Sequence, residues 1–547
     1  MGNSSDSAVP TIVASAADGL TKLKDAVSGM STGGWVGLGV AAVAGYCVYE
    51  QMRFARWRRC KDGSKLPGPD SVTPILGGIV EMVKDPYGFW ERQRLYTQSG
   101  LSWNSLVGTF TVFVTDPAVS RHVFNSNSKD TLLMALHPSA ANVLGERNIA
   151  FLHGPDHKAL RKSFLALFTR RALSVYIARQ DQVICAHLKR WLAEQGADEK
   201  GARAGLPTEM RVLIRDMNAW TSQEVFAGPY LDDPAERDAF GKAYMDMTDA
   251  FLAFPLCVPG TAVWKGRQGR LFIIKVLTKA AARSKAKMAT GAEPECLLDF
   301  WSQQVLQEIR EAQEQGVEPP FYSADAKMAD SVMDFLFASQ DASTASLVWL
   351  LTLMAEYPDT LARVREEQRR LRPDPNAPIT GDVLNQMEFT RQVVKEALRF
   401  RPAAPMVPQT AQADFPLTDN YTAPKGSMII PSVWAACHQG YEAPHTFDPD
   451  RFGPERKEDV KFAGNYLVFG HGPHYCVGRE YATNHLMCFL ARLALTVDYS
   501  RVRSKVSDEI KYLPTLYPGD SVFAFKWATP TASQCGKGGS MKLAATA

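Results

Sequence analysis

Phe469-Gly470-His471-Gly472-Pro473-His474-Tyr475-Cys476-Val477-Gly478 is the stretch on which the reading of this chain turns. Glycine is entropically costly in any regular element, and proline fixes φ and removes a donor, so no helix or strand is expected ahead of the cysteine. A helical pattern follows through Tyr481, Leu486 and Phe489. Cys476 is therefore expected at a helix N-terminus, where backbone N–H groups and the dipole favour thiolate over thiol. A thiolate is what a haem iron uses as an electron-donating axial ligand. Gly472 and Gly478 would let the backbone come close to a flat ring, and His474 would reach a carboxylate on its edge. Two other readings compete at this level. One is a buried structural cysteine in a turn. The other is zinc, since His471, His474, Cys476, His485 and Cys488 lie close in sequence. His485 and Cys488, however, fall inside the following helix and away from the loop.

The rest of the chain sets the frame for that loop. With 547 residues, 46% hydrophobic and 22% charged, it has the composition of a globular protein with a sizeable core. A net charge of +3, with no long basic run, argues against nucleic acid as a partner. The nine cysteines are scattered and odd in number, which does not read as a disulfide framework. Residues 1–32 form a small-residue polar extension. Gly34 to Tyr49 then carries no charge. Sixteen such residues span about 24 Å as a helix, and flanking residues complete a membrane anchor over 33–52. Trp35 and Tyr49 suit the two interfaces, and Arg53, Arg56, Arg58, Arg59 and Lys61 place the rest of the chain on the cytosolic side. Lys65-Leu66-Pro67-Gly68-Pro69 ends a basic, proline-rich linker over 53–70 and reads as a stiff hinge. One large domain is expected over 71–529, and a disordered tail over 530–547.

Within that domain helical patterns dominate, over 157–196, 211–226, 235–254, 265–313, 325–357 and 386–400. Leu101 to Val114 alternates around Gly108-Thr109, as a hairpin does. Asp116-Pro117 opens a helix, and strand-like pieces return near Met428–Ile430 and Val522–Phe525. The reading is mainly α with a minor β-sheet. In Glu396-Ala397-Leu398-Arg399 a carboxylate and a guanidinium share one helix face, as ordinary surface pairs also do. Phe335-Leu336-Phe337-Ala338-Ser339-Gln340-Asp341-Ala342-Ser343-Thr344-Ala345-Ser346 places small and polar residues in the middle of a long apolar helix. That is poor packing unless a ligand presses against it.

The cysteine loop resembles the haem-binding segment of the cytochrome P-450 superfamily, Phe-x-x-Gly-x-x-x-Cys-x-Gly, at Phe469, Gly472, Cys476 and Gly478. The likeness extends over roughly 70–529. It implies the P-450 fold, haem b as cofactor, and Cys476 as its iron ligand. Phe469, Gly470, Gly472, His474 and Gly478 would line the haem, with His157 and Arg161 reaching its propionates. Gln409 stands where relatives often have a propionate-binding Arg. Glu396-x-x-Arg399 and Pro449-x-Arg451-Phe452 are similar to two further family elements, which implies a buried Glu396–Arg399–Arg451 network. Leu417 to Pro431 and Trp434 to His438 would supply strands between them.

Relatives carry Ala/Gly-Gly-x-Asp/Glu-Thr-Thr in the long helix, with the acid and the first Thr relaying protons to iron-bound oxygen. Here Asp341 is retained and the first Thr is Ala342, so Ser343, Thr344 or an ordered water would take over the relay. The run Phe-Ala-Ser-Gln-Asp-Ala-Ser-Thr looks like that of sterol C-22 desaturases. Leu513–Asp520 and Pro255–Thr261 also resemble sterol-handling relatives. The implied reaction removes hydrogens from C-22 and C-23 of a sterol, using O2 and electrons from NADPH through NADPH-cytochrome P-450 reductase. The resemblance places the enzyme in the endoplasmic reticulum membrane, in contact with lipid. Its pocket would use Phe337, Ala338, Thr515 and Leu516, with Phe251–Phe254 and Ala135–Asn142. A sterol or other lipid hydroxylase or 14-demethylase, and a non-catalytic haem-binding protein, are the alternatives.

Overall fold

The computed structural model describes residues 31–528, apart from 98, 146, 199–202 and 513–514. The expectations for the first 30 residues, for the tail 530–547 and for Leu513-Pro514 lie outside the described residues.

The architecture is mainly helical with small sheets. Its long helices are α1 (Thr32–Trp57), α2 (Gly154–Leu165), α3 (Arg170–Glu194), α4 (Met210–Phe226), α5 (Pro234–Asp249), α6 (Ala262–Ala289), α7 (Leu297–Gln315), α8 (Asp325–Glu356), α9 (Pro358–Leu371), α10 (Glu388–Phe400) and α11 (Arg479–Thr496). Two stretches expected as single helices are each split. Thr169 caps a new helix by accepting from the Ala172 N–H, which separates α2 from α3. The segment Thr290–Pro294 separates α6 from α7: the helix ends at Thr290, and Gly291 follows with a φ of +81°.

α8 organises the core. Its first half (Met328 to Leu336) belongs to one apolar cluster with Trp301, Phe226 and Tyr481. Its second half (Ala345 to Met354) belongs to another with Trp191, Phe400 and Phe525. The polar run Phe337–Thr344 lies between the two clusters, so this helix is clamped at both ends and free of aliphatic packing in the middle.

A five-stranded sheet, β1 (Leu101–Leu106), β2 (Thr109–Val114), β3 (Leu132–Met134), β5 (Gln409–Ala411) and β8 (Met428–Pro431), has the order β1-β2-β8-β5-β3. β1 and β2 form a hairpin whose two turn residues, Val107 and Gly108, both have positive φ (47° and 68°). Further strands are β4 (Thr208–Glu209), β6 (Phe415–Pro416), β7 (Thr422–Ala423), β9 (Val497–Arg501), β10 (Ile510–Tyr512), β11 (Leu516–Pro518) and β12 (Val522–Trp527), in small antiparallel groups. Residues 433–437 depart from the strand expected there. Ser432 accepts from the Ala435 N–H and caps a short helix, Val433–Cys437.

The segment 53–70 is not a free hinge. α1 continues to Trp57, Arg59 pairs with Lys65 across a tight turn, and the Leu66 side chain is buried. α1 ends at Trp57, ahead of Pro67 and Pro69, and the chain between is tied down.

Candidate active site: the cysteine loop and the middle of α8

Gly470 and Gly472 adopt φ of +74° and +72°, which sidechain-bearing residues rarely do. A Cβ on Gly472 would sit 2.5 Å from the Phe124 carbonyl oxygen, so the loop needs glycine there. Gly472–His474 make one 3-10 turn, and the Cys476 N–H closes the loop on the Phe469 carbonyl at 2.9 Å. α11 begins three residues after the cysteine, at Arg479.

The Cys476 thiol is accessible to a water-sized sphere, yet the protein around it withholds enough solvent to raise its pKa. Burial is the largest influence, and the Gly478 N–H, Arg161 and Arg479 only partly oppose it. The expected lowering by the helix end is therefore outweighed. The thiol keeps its proton in neutral water until a metal displaces it.

α2 supplies the polar wall. His157 and Arg161 lie one turn apart on it. The His157 ring stacks on His474 with centroids 4.2 Å apart, and His153 tilts onto His474 at 5.4 Å. An Arg161 Nη donates to the Tyr475 carbonyl at 2.5 Å. Burial depresses both imidazoles, His474 to about 3, so they present neutral rings at pH 7. His157 Nε2 is buried with no hydrogen-bond partner among the described residues. Added Cβ atoms on Gly470 and Gly478 would meet nothing within 4 Å, so the backbone is open at both. A soft sulfur ligand, open glycine faces, an unpartnered imidazole nitrogen and one guanidinium form a donor set that fits haem with its acidic edge groups. Gln409 takes no part in that wall. It is buried on β5, where it accepts from Asn127 Nδ2 at 2.8 Å. The zinc reading finds no support, since no group of three or more potential ligands is close enough among the described residues.

On α8, Ala338 is exposed between half-buried neighbours, and Ala342 is half-buried on the same face. Val477, beside the cysteine, packs into the apolar cluster that holds Phe335 and Phe337. Helical geometry turns Thr344 about 200° away from Ala342. Its hydroxyl donates to the Gln340 carbonyl at 2.7 Å and accepts from Asn218 Nδ2 at 3.3 Å. Thr344 thus takes part in the α4–α8 contact. Ser343 is buried and lies about 100° round from Ala342. Asp341 is raised in pKa, chiefly by burial, with Arg215 and Arg211 pulling it back. Arg215 holds its Nε 3.8 Å from Asp341 while its Nη reaches the Thr248 hydroxyl at 2.8 Å. The sequence reading missed Arg215 and Asn218. The only trace was polar side chains on the otherwise apolar inner stripe of α4.

Phe337 packs on Phe251 at 5.0 Å, and the Ser139 hydroxyl donates to the Ala253 carbonyl at 2.9 Å. These contacts bring together α8, the 251–254 segment and the 135–142 loop. Thr515 and Leu516 are buried, with the Leu516 carbonyl accepting from Trp349 Nε1 at 3.0 Å. A groove of about 710 Å³ opens beyond β11, lined by Arg211, Arg215, Trp220, Lys242 and Tyr517, and includes no residue of the cysteine loop.

Glu396, Arg399 and Arg451 have no exposed side-chain surface. Arg399 grips Glu396 through two bonds of 2.7 and 2.9 Å, and Arg451 Nε reaches the same carboxylate at 3.0 Å. A second carboxylate, Glu458, takes an Arg451 Nη at 3.0 Å; nothing in the local sequence marked it.

The sequence pattern of the family described as Cytochrome P450 matches residues 67–500. "Cytochrome P450 710A2" of Arabidopsis thaliana is 40% identical over 489 residues, covering 89% of this chain and 95% of that protein. "C-22 sterol desaturase erg5" of Aspergillus fumigatus is 35% identical over 488 residues, covering 86% and 90%. A solved structure, "Retinoic acid bound cyanobacterial CYP120A1", superposes with a TM-score of 0.69 at 21% identity, covering 85% of this chain and 99% of that one. That likeness speaks for the fold, while the family match, the two relatives and a cysteine loop that fits haem iron carry the assignment: this chain belongs to the cytochrome P450 family.

Proposed function

We propose that this enzyme desaturates the side chain of a sterol at C-22, with Cys476 holding haem and electrons arriving from NADPH through a reductase. The observation that carries the reading is the α8 face. Ala342 stands where a hydroxyl would deliver protons, and Thr344 is turned onto Asn218. The family resemblance to C-22 sterol desaturases in the run Phe337–Thr344 supports the same reading, as do relatives of that name at 34 and 35% identity.

Bound haem would supply the oxidising power that removes hydrogen from carbon. The chain's own residues set what that power acts on. Cys476 Sγ would hold the iron, and His157, Arg161 and His474 would hold the acidic edge. Ala338 and Ala342 leave room for a side chain close to the reacting centre. Phe337 and Phe251 offer aromatic faces to the sterol body. Asp341, raised by burial and held by Arg215, is the titratable group nearest Ala342 in the chain, and Ser343 brings a hydroxyl one position further on. With no alcohol at 342, the proton relay would rest on Asp341, Ser343 or an ordered water.

The membrane reading belongs to the same proposal. α1 is apolar and long enough to cross a bilayer. It would hold the enzyme in the endoplasmic reticulum with the catalytic body in the cytosol.

The test is turnover of the purified full chain with NADPH, reductase, O2 and a panel of sterols, read by mass spectrometry. The expected product is two hydrogens lighter, with its new double bond at C-22. A product gaining one oxygen would replace desaturation by hydroxylation. A thiolate-type CO spectrum with no turnover would point to a haem-binding protein.

A further inference from the structure

The groove beyond β11 holds positive charge that the protein leaves unpaired. Its volume of about 710 Å³ is that of a small-molecule site. Six cationic side chains and four carboxylates line it, so its walls carry an excess of positive charge. Three of the carboxylates are already engaged. Asp216 accepts from an Arg190 Nη at 2.7 Å, Glu209 accepts from the Ser521 N–H at 3.0 Å, and Asp520 accepts from the Ser507 hydroxyl at 2.8 Å. Asp238 alone has no partner among the described residues. The cations are open by comparison. Lys242 of α5 is exposed and makes no ion pair. Lys511 of β10 donates to the Gly519 carbonyl at 2.6 Å, which leaves its charge in place. Arg211 of α4 covers the Tyr517 ring, 4.3 Å from its centroid, with no carboxylate in ion-pair range. Arg215 of α4 stands 3.5 Å from Asp249 and 3.8 Å from Asp341, and its buried Nε has no hydrogen-bond partner among the described residues.

The floor of this groove is the middle of α8. Tyr517 and Tyr244 both line it. The Tyr517 hydroxyl donates to the Asp341 carbonyl at 3.3 Å, and the Tyr244 hydroxyl donates to the Leu336 carbonyl at 2.8 Å. The charged and titratable groups that face the Asp341 carboxylate are Arg211 and Arg215 of α4, Tyr244 and Asp249 of α5, and Tyr517 of β11. All but Asp249 line the groove. Asp341 is therefore held from the groove side, by cations that a ligand in the groove would also meet.

We propose that the groove binds a small phosphate-bearing anion through Arg211, Arg215, Lys242 and Lys511, and that this binding is coupled to the charge on Asp341. Guanidinium groups match phosphate oxygens in pairs, and ammonium groups add point charges. Cations from three separate elements call for several charged oxygens on one ligand, which a lone carboxylate does not offer. The coupling follows from the shared partner. An ionised Asp341 competes with the ligand for Arg215 and repels it. By linkage, a bound anion raises the proton affinity of Asp341 by the factor that an ionised Asp341 takes from anion binding. The site itself is independent of the sterol reading; only its bearing on turnover, through Asp341 as relay acid, rests on that reading.

The experiment is isothermal titration calorimetry of the full-length holoenzyme with inorganic pyrophosphate in mildly alkaline buffer. Saturable one-to-one binding is expected, weakening as sodium chloride is added. Lys242→Gln changes an exposed side chain with no partner, so the fold is untouched, and it should weaken binding about tenfold. Arg211→Gln should do the same, and the double variant should lose more than either alone. Asp238→Asn and Asp341→Asn should each tighten binding several-fold, a gain that a merely structural role for Asp341 would not produce. No saturable heat from the unmodified chain, or unchanged affinity in the Arg211→Gln, Lys242→Gln double variant, overturns the site. Equal affinity in the unmodified chain and Asp341→Asn overturns the coupling to α8. Calorimetry reads no product, so failure of the sterol reading would leave every one of these outcomes as it is.

Discussion

Replacing Arg451 by leucine tests whether the buried ion network around α10 holds the body together. Arg451 donates to Glu396, to Glu458 and to the carbonyls of Glu442, Thr446 and Ala443, over 2.8 to 3.4 Å. Breaking a buried pair by removing one partner costs about 3–5 kcal/mol. The lower end applies here, because both carboxylates keep another cation: Glu396 retains Arg399, and Glu458 retains Arg456. An unfolding entropy of about 2 cal/mol/K per residue, over a body of about 450 residues, turns about 3 kcal/mol into a fall of about 3 °C in Tm. The assay is thermal unfolding of the holoenzyme at one scan rate, followed by far-ultraviolet circular dichroism and by haem absorbance. Arg399→Leu should behave similarly alone. The double variant leaves Glu396 buried without a cation, so its cost should exceed the sum of the singles by about 1–3 kcal/mol. Adding Glu396→Gln should recover part of that excess. A double variant whose Tm loss merely equals the sum would refute the shared-carboxylate reasoning, and an Arg451→Leu loss below about 1 °C would refute the network's role in stability.

Cys476→Ser should abolish the thiolate-type spectrum of the CO complex while far-ultraviolet dichroism stays unchanged. Ala342→Thr restores a hydroxyl on the open face of α8 and should move products from two hydrogens lighter towards one oxygen heavier, by mass spectrometry. Thr344→Val removes only the hydroxyl between Asn218 and Gln340; it should cost about 1 kcal/mol of stability and leave the product ratio unchanged. His485 is fully buried, both ring nitrogens lack partners among the described residues, and burial pushes its pKa down to about 4. Between pH 6.5 and 4 the unfolded chain therefore binds the proton that the folded chain refuses, so stability from this group is complete above about 6.5 and lost as pH falls towards 4. His485→Phe should flatten the fall in Tm between pH 7 and 5, and an unchanged slope would show that His485 contributes nothing to it.

What the sequence disclosed and what it hid divide along one physical line. The cysteine loop was legible because its glycines and proline act on their own backbone, so ten consecutive residues contain the reason for their shape. The length of α8 was legible for the same reason, from the apolar runs on both sides of Phe337–Thr344. The direction of Thr344 was not, because Asn218, 126 positions away, decides which hydroxyl is already engaged. The same holds at residues 53–70. Pro67 and Pro69 keep the segment out of helix, but whether it acts as a hinge depends on Trp103, Gly108 and Tyr421, none of them local. Cys476 shows the effect in electrostatics: its helix end is written in the sequence, while the burial that overrides it comes from surrounding elements. Some misses were local: Thr169 and the Thr290–Pro294 segment break stretches expected as single helices, and Ser432 is available as a cap for Val433–Cys437 although the apolar run after it has the look of a strand. Chemistry set by a residue's neighbours in the chain can therefore be read early. Relay and orientation are properties of contacts made across the fold, and they are the steps in this enzyme that most need the measurements above.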